Sequence, residues 1–245
     1  MLVFPQRYGK KSGEITWANG TVSQIAEMLQ MHDNGDINIY DYWHIGDERI
    51  VHLNAIPANP NGAFINAITA QDVVMVLMDI AYGSNNIHFV VGQKNCLKER
   101  EKVNLTASNT GSWSGSLIRA DLNTLYYNAL DGYNTLLKSF DVDTIETYNG
   151  TTIQTTTDKI ALFAEKEVFG YAYYGNETEA NDLTQVDYYT DSSHRIKTMN
   201  GSTMTWFLRS PRGNMASDFC SVTSRGKVDC SGANLNLGIA PFMCI

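Results

Sequence analysis

The amino-acid sequence predicts an α+β fold in which two helices pack on short antiparallel sheets joined by long loops. Three observations lead to this class: two apolar repeats with helical spacing, several short β-branched runs bounded by turn residues, and long polar connections. Charged residues form only 18% of the 245 residues, and Gly, Asn, Ser and Thr take their place, which favours turns and β structure. The hydrophobic fraction of 43% is enough to fill a core.

Both helices are predicted from apolar residues that fall on one face. The first covers Thr21–Met31 and ends before Asn34-Gly35, and its apolar face consists of Val22, Ile25, Ala26 and Leu29. The second lies within Ser116–Leu130 and presents Ile118, Leu122, Leu125 and Ala129. A further short helix is expected around Asp182–Thr190, after a tyrosine-rich stretch formed by Tyr171, Tyr173 and Tyr174.

Strands are predicted where β-branched runs meet turn sequences. Arg49–Leu53 is expected to be buried on both faces, because Ile50 and the residue after it are both apolar. Gln71–Ile80 and Ile87–Val91 are expected to pair as a hairpin with a wide turn. A second hairpin is predicted around Asn149-Gly150, the strongest turn signal in the chain.

The last forty residues contain two apolar, strand-like segments that bracket a polar one. The front segment, Thr205–Pro211, is expected to form a strand, and the rear segment, Gly238–Ile245, is expected to bury the C-terminus in a sheet. Between them, Arg212–Leu237 mixes polar residues without strand alternation. A rigid frame that holds an irregular polar insert is typical of a binding surface.

Composition and motifs argue against several classes of protein. The net charge is −8 and the pI is near 5.0, and the run Lys94–Lys102 is diluted by Glu99 and Glu101, so nucleic-acid binding is not expected. No apolar run approaches the roughly 20 residues of a membrane span, and no signal peptide is recognised. The five histidines lack metal-ligand spacing, and nucleophile-elbow, phosphate-loop and dinucleotide motifs are missing. We therefore expect no catalytic residue, no cofactor and no metal site.

Two tryptophan–arginine pairs allow two interpretations. Trp113 with Arg119, and Trp206 with Arg209, would suit a stacking platform for a ligand ring. Alternatively, the tryptophans fill the core and the arginines tie loops together through backbone carbonyls or a buried carboxylate. Both pairs lie at the edges of apolar segments, which favours the second, structural interpretation.

The four cysteines have no CxxC spacing. Cys220 and Cys230 flank the Arg225-Gly226 turn and would face each other across a hairpin, whereas Cys96 and Cys244 end two apolar segments that could be neighbouring strands. Buried free thiols and disulfide pairs both remain open, and the free thiols are favoured.

Six dispersed sequence blocks, taken together and in their order along the chain, resemble a family of proteins from gut Firmicutes and their phages. The blocks are DYWHIGDER at 41–49, FVVGQKNCL at 89–97, GSWSG at 111–115, LFAEKEVFG at 162–170, WFLRSP at 206–211 and GIAPF at 238–242. The C-terminal half is similar to the C-type lectin fold of variable proteins of diversity-generating retroelements, such as phage tail-tip receptor-binding proteins. We divide the chain into an N-terminal attachment element, 1–40, and a C-type lectin-like ligand-binding domain, 41–245.

This resemblance implies a ligand surface between residues 212 and 237. Its candidate contacts are Arg212, Asn214, Met215, Ser217, Asp218, Ser221, Thr223, Asn234 and Asn236, all expected to face solvent. The implied scaffold positions are Trp206, Arg209, Pro211, Phe219 and Phe242. The chain lacks the Glu-Pro-Asn and Trp-Asn-Asp motifs of calcium-dependent lectins, so calcium-mediated sugar binding is not implied.

The function expected from these features is binding of a host cell-surface protein or glycan, at a phage tail or on a bacterial cell surface. The protein would act as a homo-oligomer or attached to a phage tail, with no nucleic-acid partner and no membrane span. One alternative is an oxidoreductase that is similar to formylglycine-generating enzymes and uses Cys220 or Cys230. Another is a structural virion protein whose main role is self-assembly.

Overall fold

A computed structural model describes residues 15–80, 87–180 and 183–245. Its central element is a five-stranded antiparallel sheet with the strand order β1-β2-β3-β12-β6. The strands are β1 (Glu48–Leu53), β2 (Gln71–Ile80), β3 (Phe89–Gln93), β12 (Phe242–Cys244) and β6 (Ile160–Ala161). The C-terminal strand lies between two others, which confirms that the C-terminus is buried in a sheet.

A second antiparallel sheet has three strands in the order β11-β10-β9. They are β9 (Trp206–Pro211), β10 (Asp218–Val222) and β11 (Val228–Gly232). The backbone N–H of Phe207 donates to Gly238 O at 3.1 Å, and that of Arg209 donates to Phe163 O at 2.9 Å. These bonds fix β9 to the segments that flank β12 and β6, and every residue of β9 is buried. The front segment is therefore a rigid strand, as expected.

Two smaller hairpins complete the β structure described here. In one, β4 (Phe140–Ile145) pairs with β5 (Ile153–Asp158), which confirms the hairpin predicted around Asn149-Gly150. In the other, β7 (Lys197–Met199) pairs with β8 (Ser202–Met204). The pairing of β2 with β3 confirms the other predicted hairpin, whose turn at 81–86 lies outside the described residues.

Both predicted helices form. The first, α1 (Val22–Asp33), begins at a capping box in which Thr21 Oγ1 accepts the Gln24 N–H and Gln24 Oε1 accepts the Thr21 N–H. The second is continuous but changes its winding along its length, as α2 (Leu117–Asp121), a π-helical segment (Leu122–Tyr126) and α3 (Tyr127–Ala129). Apolar spacing predicts a helix but does not reveal the wider π turn.

Shorter helical segments connect the sheets. Two are α-helical, α4 (Glu165–Phe169) and α5 (Glu177–Ala180). The 3₁₀ turns of the described residues cover Ile39–Asp41, Tyr133–Leu136, Asp187–Thr190 and Ser192–Arg195. The helix expected around 182–190 is thus only a 3₁₀ turn at its end, and residues 181–182 lie outside the described part of the chain.

Two expectations about strands are wrong. Strand β1 is not buried on both faces, since Ile50 is 68% exposed. The reason is that β1 is an edge strand whose residues alternate between core and solvent. The polar insert is not irregular throughout, because it contains β10 and β11. Both faces of β10 are buried, and its small residues Cys220 and Ser221 conceal the strand pattern.

The N-terminal part of the described chain packs in the main core. The fully buried rings of Trp17 and Trp43 meet edge to face, with centroids 5.7 Å apart. Ile25 and Met28 of α1 belong to the same hydrophobic cluster as the five-stranded sheet. The attachment role expected for residues 1–40 stays a prediction, and residues 1–14 lie outside the described ranges.

The α+β class is confirmed at the level of short helices combined with several small antiparallel sheets. Among the described residues, no helix has both the length and the apolar character needed to cross a membrane. Likeness to the C-type lectin fold stays a prediction.

The tryptophan–arginine pairs have the structural role that the sequence favours. Trp113 Nε1 donates to Asp158 Oδ2 at 2.8 Å, and Arg119 Nε binds the same buried carboxylate at 2.8 Å. Arg209 is fully buried, and its Nη2 donates to Glu167 Oε1 at 3.0 Å. Both arginines therefore join elements of the fold through buried carboxylates, since Arg119 connects α2 to β5 and Arg209 connects β9 to α4.

Glu101 is a buried carboxyl group that has no counter-ion among the described residues. Its side chain is fully buried, and within the described residues neither carboxyl oxygen has a hydrogen-bond partner. Burial, reinforced by the negative charges of Glu99 and Asp121, raises the pKa of Glu101 to about 8 from the ordinary value of 4.5. The folded protein therefore holds a proton that the unfolded chain releases at lower pH.

We expect Glu101 to make stability fall as pH rises. Its folded pKa lies above its unfolded pKa, so its contribution is retained below about pH 4.5 and lost as pH rises through about 8. The slope in that window is up to about 1.4 kcal/mol per pH unit. The Glu101→Gln variant should lose this slope in urea unfolding measured at a series of pH values, whereas the exposed Glu146→Gln control should keep it. Identical slopes for wild type and Glu101→Gln would contradict the assignment.

Candidate ligand-binding surface

The turn between β9 and β10 is braced by its own side chains. Arg212 N–H donates to Asp218 O at 3.0 Å, and Arg212 Nη1 lies 3.3 Å from Asp218 Oδ2. Arg212 Nε also donates to Asn214 Oδ1 at 2.9 Å. Asn214 and Met215 remain exposed at the tip, with Met215 at 42% exposure. Hydrogen bonds therefore fix the base of the turn, while the side chains at its tip face solvent.

A buried asparagine joins this turn to a distant loop. Asn109 N–H donates to Ala216 O at 2.7 Å. The Asn109 side-chain amide donates to Met215 O at 2.8 Å and to Asp218 O at 2.7 Å. The three bonds fix the loop that contains Asn109 against the β9–β10 turn.

The segment after β11 binds the same two loops. Ala233 N–H donates to Ser217 O at 2.9 Å. Ala233 O in turn accepts the N–H groups of Val103 and Asn104, at 3.0 and 2.9 Å. This segment carries Leu235, which is 51% exposed.

A tyrosine-rich loop lies on the other side of the β9–β10 turn. The Gly213 N–H donates to Tyr174 O at 2.8 Å, and the guanidinium of Arg212 lies over the Tyr174 ring, 5.6 Å from its centroid. Tyr171 and Tyr173 project from this loop with exposures of 52% and 65%. The tyrosines are therefore continuous with the turn.

Glu165 holds the tyrosine loop from beneath. Its buried carboxyl group accepts the backbone N–H groups of Tyr173, Tyr174 and Gly175 at 2.7 to 3.0 Å. Burial raises the pKa of Glu165, and these hydrogen bonds act in the opposite direction. Three donors on one carboxyl group fix the loop backbone while its side chains point outward.

A buried serine connects the supporting helices α4 and α5 through β9. Glu165 N–H donates to Ser210 Oγ at 3.0 Å, and the Ser210 hydroxyl donates to Glu179 Oε1 at 2.6 Å. Burial raises the pKa of Glu179 to about 7, so near neutral pH part of this carboxyl population is protonated.

These four segments form what we call the loop surface, defined as residues 104–110, 171–175, 212–218 and 233–235. Nine large apolar side chains are exposed in the described part of the chain, and five lie on the loop surface: Leu105, Tyr171, Tyr173, Met215 and Leu235. Apolar groups gathered on adjoining loops are typical of an interaction site.

The structure brings together most of the residues implied by the resemblance. Six lie on the loop surface: Arg212, Asn214, Met215, Ser217, Asp218 and Asn234. Sequence reasoning did not assign Leu105, Tyr171, Tyr173 or Leu235 to the site. The tyrosine-rich stretch was the available signal, and Leu105 had none because its proximity depends on the fold.

The other three candidate residues lie elsewhere. Ser221, expected to face solvent, is fully buried, and its Oγ lies 3.2 Å from Ser231 Oγ, a partner that allows burial of the hydroxyl. Thr223 lies in the turn at the opposite end of β10, where its Oγ1 accepts the Lys227 N–H at 3.0 Å. Asn236 is exposed and lines a different cavity of about 540 Å³, whose other polar residues include Asn66, Lys98, Arg100 and Ser202.

We expect Asn109→Ala to weaken the loop surface. The substitution removes the amide donor of the Met215 carbonyl and one of the two donors of the Asp218 carbonyl, which keeps the Arg212 N–H, and it should lower the free energy of unfolding by about 1–3 kcal/mol. Proteolysis should then cleave within 212–218 faster than in wild type, as detected by mass spectrometry of limited digests.

Asn123→Ala is the matched control for this prediction. The Asn123 amide also bonds backbone groups, donating to Arg119 O and Ile160 O, but it lies away from the loop surface. It should lower stability without selective cleavage at 212–218. Equal cleavage of that segment in both variants would contradict the role of Asn109.

A comparison with known protein families assigns most of the chain to one family. A family model described as "Domain of unknown function (DUF6273)" matches residues 71–245, which include every segment of the loop surface. No curated protein and no solved structure matches the chain. Within the described residues, no three His, Cys, Asp or Glu side chains are grouped so that they could hold a metal ion.

Proposed function

The chain belongs to the DUF6273 family, and on the basis of its loop surface we propose that it is a non-enzymatic ligand- or receptor-binding protein. The observation that carries the proposal is the concentration of exposed apolar side chains on four loops that hydrogen-bond to one another. Removing such side chains from water provides the main driving force for association.

The residue types of the loop surface suit recognition. Tyrosine, methionine and arginine are enriched at protein interfaces, and short polar residues such as Asn214 and Ser217 supply adaptable hydrogen bonds. The loop backbones are held by Asn109 and Glu165, so little chain entropy is lost when a partner binds.

The finer proposal follows from the resemblance to retroelement variable proteins. In it, the domain has a C-type lectin-like fold, lies at a phage tail tip or on a bacterial cell surface, and binds a host cell-surface protein or glycan. Several copies on one particle would raise avidity without any new contact. The insert 212–237 would be the diversified segment.

Sequencing of this gene region across a native population tests the diversification. Substitutions at adenines are expected in the codons of exposed or half-buried positions, such as 212, 214, 215, 217 and 234. The buried codons 219–222 and the flanking codons 206–211 and 238–245 should stay constant, because changes there would disturb the frame. Substitutions spread equally over the buried codons would contradict a diversified surface, and a uniform sequence would indicate one fixed ligand.

Binding itself is tested with purified, fluorescently labelled protein. We expect saturable binding to whole cells of a panel of gut Firmicutes by flow cytometry, or to members of a glycan array. Competition by unlabelled protein distinguishes a specific site from adhesion. Failure to find saturable binding on either panel would count against a receptor-binding role on these hosts.

A further inference from the structure

Cys220 and Cys230 are direct cross-strand partners in the hairpin β10–β11. The type of this pair follows from the ladder hydrogen bonds on both sides of it. Thr223 N–H donates to Lys227 O and Ala233 N–H donates to Ser217 O, so these flanking pairs are hydrogen-bonded. Hydrogen-bonded and non-hydrogen-bonded pairs alternate along an antiparallel ladder, which makes 220/230 a non-hydrogen-bonded pair.

Such a pair has the spacing that a disulfide needs. Opposed residues at non-hydrogen-bonded positions have Cα atoms about 4.5 Å apart, within the range of about 4.4–6.8 Å for disulfides. Their side chains lie on the same face of the hairpin, because the two residues are directly opposite each other in the ladder. The register of the two strands therefore suits a disulfide between these residues.

We propose that Cys220 and Cys230 form a reversible disulfide that cross-links β10 to β11 behind the loop surface. Both residues carry free thiols in this structure, which is the reduced state. Cys230 is half-buried and accessible to a reagent, whereas Cys220 is fully buried and is reached through Cys230. The modification is independent of whether the loop surface binds a partner.

The reaction is a two-step exchange with a low-molecular-weight disulfide as oxidant. The Cys230 thiolate attacks one sulfur of the reagent, forms a mixed disulfide and releases one thiolate. The Cys220 sulfur then attacks the Cys230 sulfur and releases the second thiolate. The proton of the Cys220 thiol passes to the thiolate that is released. Two protein thiols are oxidised, one reagent disulfide becomes two thiols, and the two protons pass to these products.

The bond would connect redox conditions to the tyrosine loop. A Cβ atom built on Gly175 would lie 3.6 Å from Cys220 Sγ, and the same Glu165 that contacts Cys220 holds the backbone of residues 173–175. Oxidation removes the S–H hydrogen of Cys220. The Glu165 carboxyl group would then keep its hydrogen bonds from the backbone N–H groups of residues 173–175. The Cys220–Cys230 disulfide would form where disulfides persist, in an oxidising compartment or outside the cell.

The test equilibrates the native full chain with mixtures of oxidised and reduced glutathione, then alkylates the remaining thiols and maps peptides by mass spectrometry. We expect a single Cys220–Cys230 linkage that reductant reverses. Cys96 and Cys244 should remain reduced because they are buried and have no cross-strand cysteine partner. The oxidised protein should melt several degrees higher, as expected for a closed loop of this size.

Cys230→Ser provides the control, because it removes the accessible thiol and leaves the buried one. In this variant oxidised glutathione should neither link Cys220 to another cysteine nor raise the melting temperature. Recovery of Cys220 and Cys230 fully alkylated from the oxidised wild-type sample would overturn the proposal. A linkage to Cys96 or Cys244 in the folded protein would overturn it as well.

Discussion

Replacement of Arg209 by methionine is expected to lower the free energy of unfolding by about 3–5 kcal/mol. Arg209 is fully buried, and it donates to Glu167 Oε1 at 3.0 Å and to Leu162 O at 2.9 Å. Methionine fills similar volume but supplies no donor or charge. Glu167, also buried, would then keep its carboxyl group away from water without its counter-ion. Urea unfolding monitored by tryptophan fluorescence measures the change.

Two further variants test whether the loss of stability comes from breaking the buried ion pair rather than from replacing an arginine. Arg225→Met makes the same replacement at an exposed turn residue and should change stability by less than about 0.5 kcal/mol. The double variant Arg209→Met with Glu167→Met should recover most of the loss, since it removes both buried charges. An Arg209→Met protein as stable as wild type would show that the buried pair does not support β9.

Elements with local signals could be predicted from the sequence. The capping box of Thr21 and Gln24 defines the start of α1, and Asn149-Gly150 defines the turn between β4 and β5. Both signals involve residues close in the chain, so no tertiary context is needed. The edge position of β1 has no such signal, which is why the exposure of Ile50 was not expected.

The candidate site depended on long-range contacts. Asn109 bonds Met215 across 106 residues, and nothing in either local sequence indicates this contact. Glu101 is a similar case: in a charged run it looks solvent-exposed, yet its backbone pairs with Leu237 and draws the side chain inside. The resemblance indicated the β9–β10 turn and Asn234, whereas the loops 104–110 and 171–175 were identified only from the fold.

The loop surface is expected to lose binding when its exposed anchors are removed. Tyr171→Ser, Tyr173→Ser and Met215→Ser in one variant should weaken attachment by at least about 100-fold, which corresponds to roughly 2.7 kcal/mol. The three side chains are exposed, so the free energy of unfolding should change by less than about 1 kcal/mol. The variant is therefore expected to lose binding affinity while it keeps nearly the same free energy of unfolding.

A matched control replaces exposed apolar residues outside the loop surface. Ile50→Ser, Ile80→Ser and Ile196→Ser remove three side chains with exposures of 68%, 40% and 41%. This variant loses comparable apolar area and should attach like wild type. The comparison distinguishes a specific surface from general hydrophobic adhesion.

The most direct measurement is a flow-cytometry titration of three labelled proteins against a gut bacterial strain that binds the wild type. The proteins are the wild type, the triple variant of Tyr171, Tyr173 and Met215 (the anchor variant) and the triple isoleucine control. Thermal melts of the same preparations show whether each protein is folded. If the loop surface is the binding site, wild type and control will saturate at similar concentrations and the anchor variant will need at least about 100-fold more protein. Equal saturation of all three proteins, with all three folded, would contradict the account.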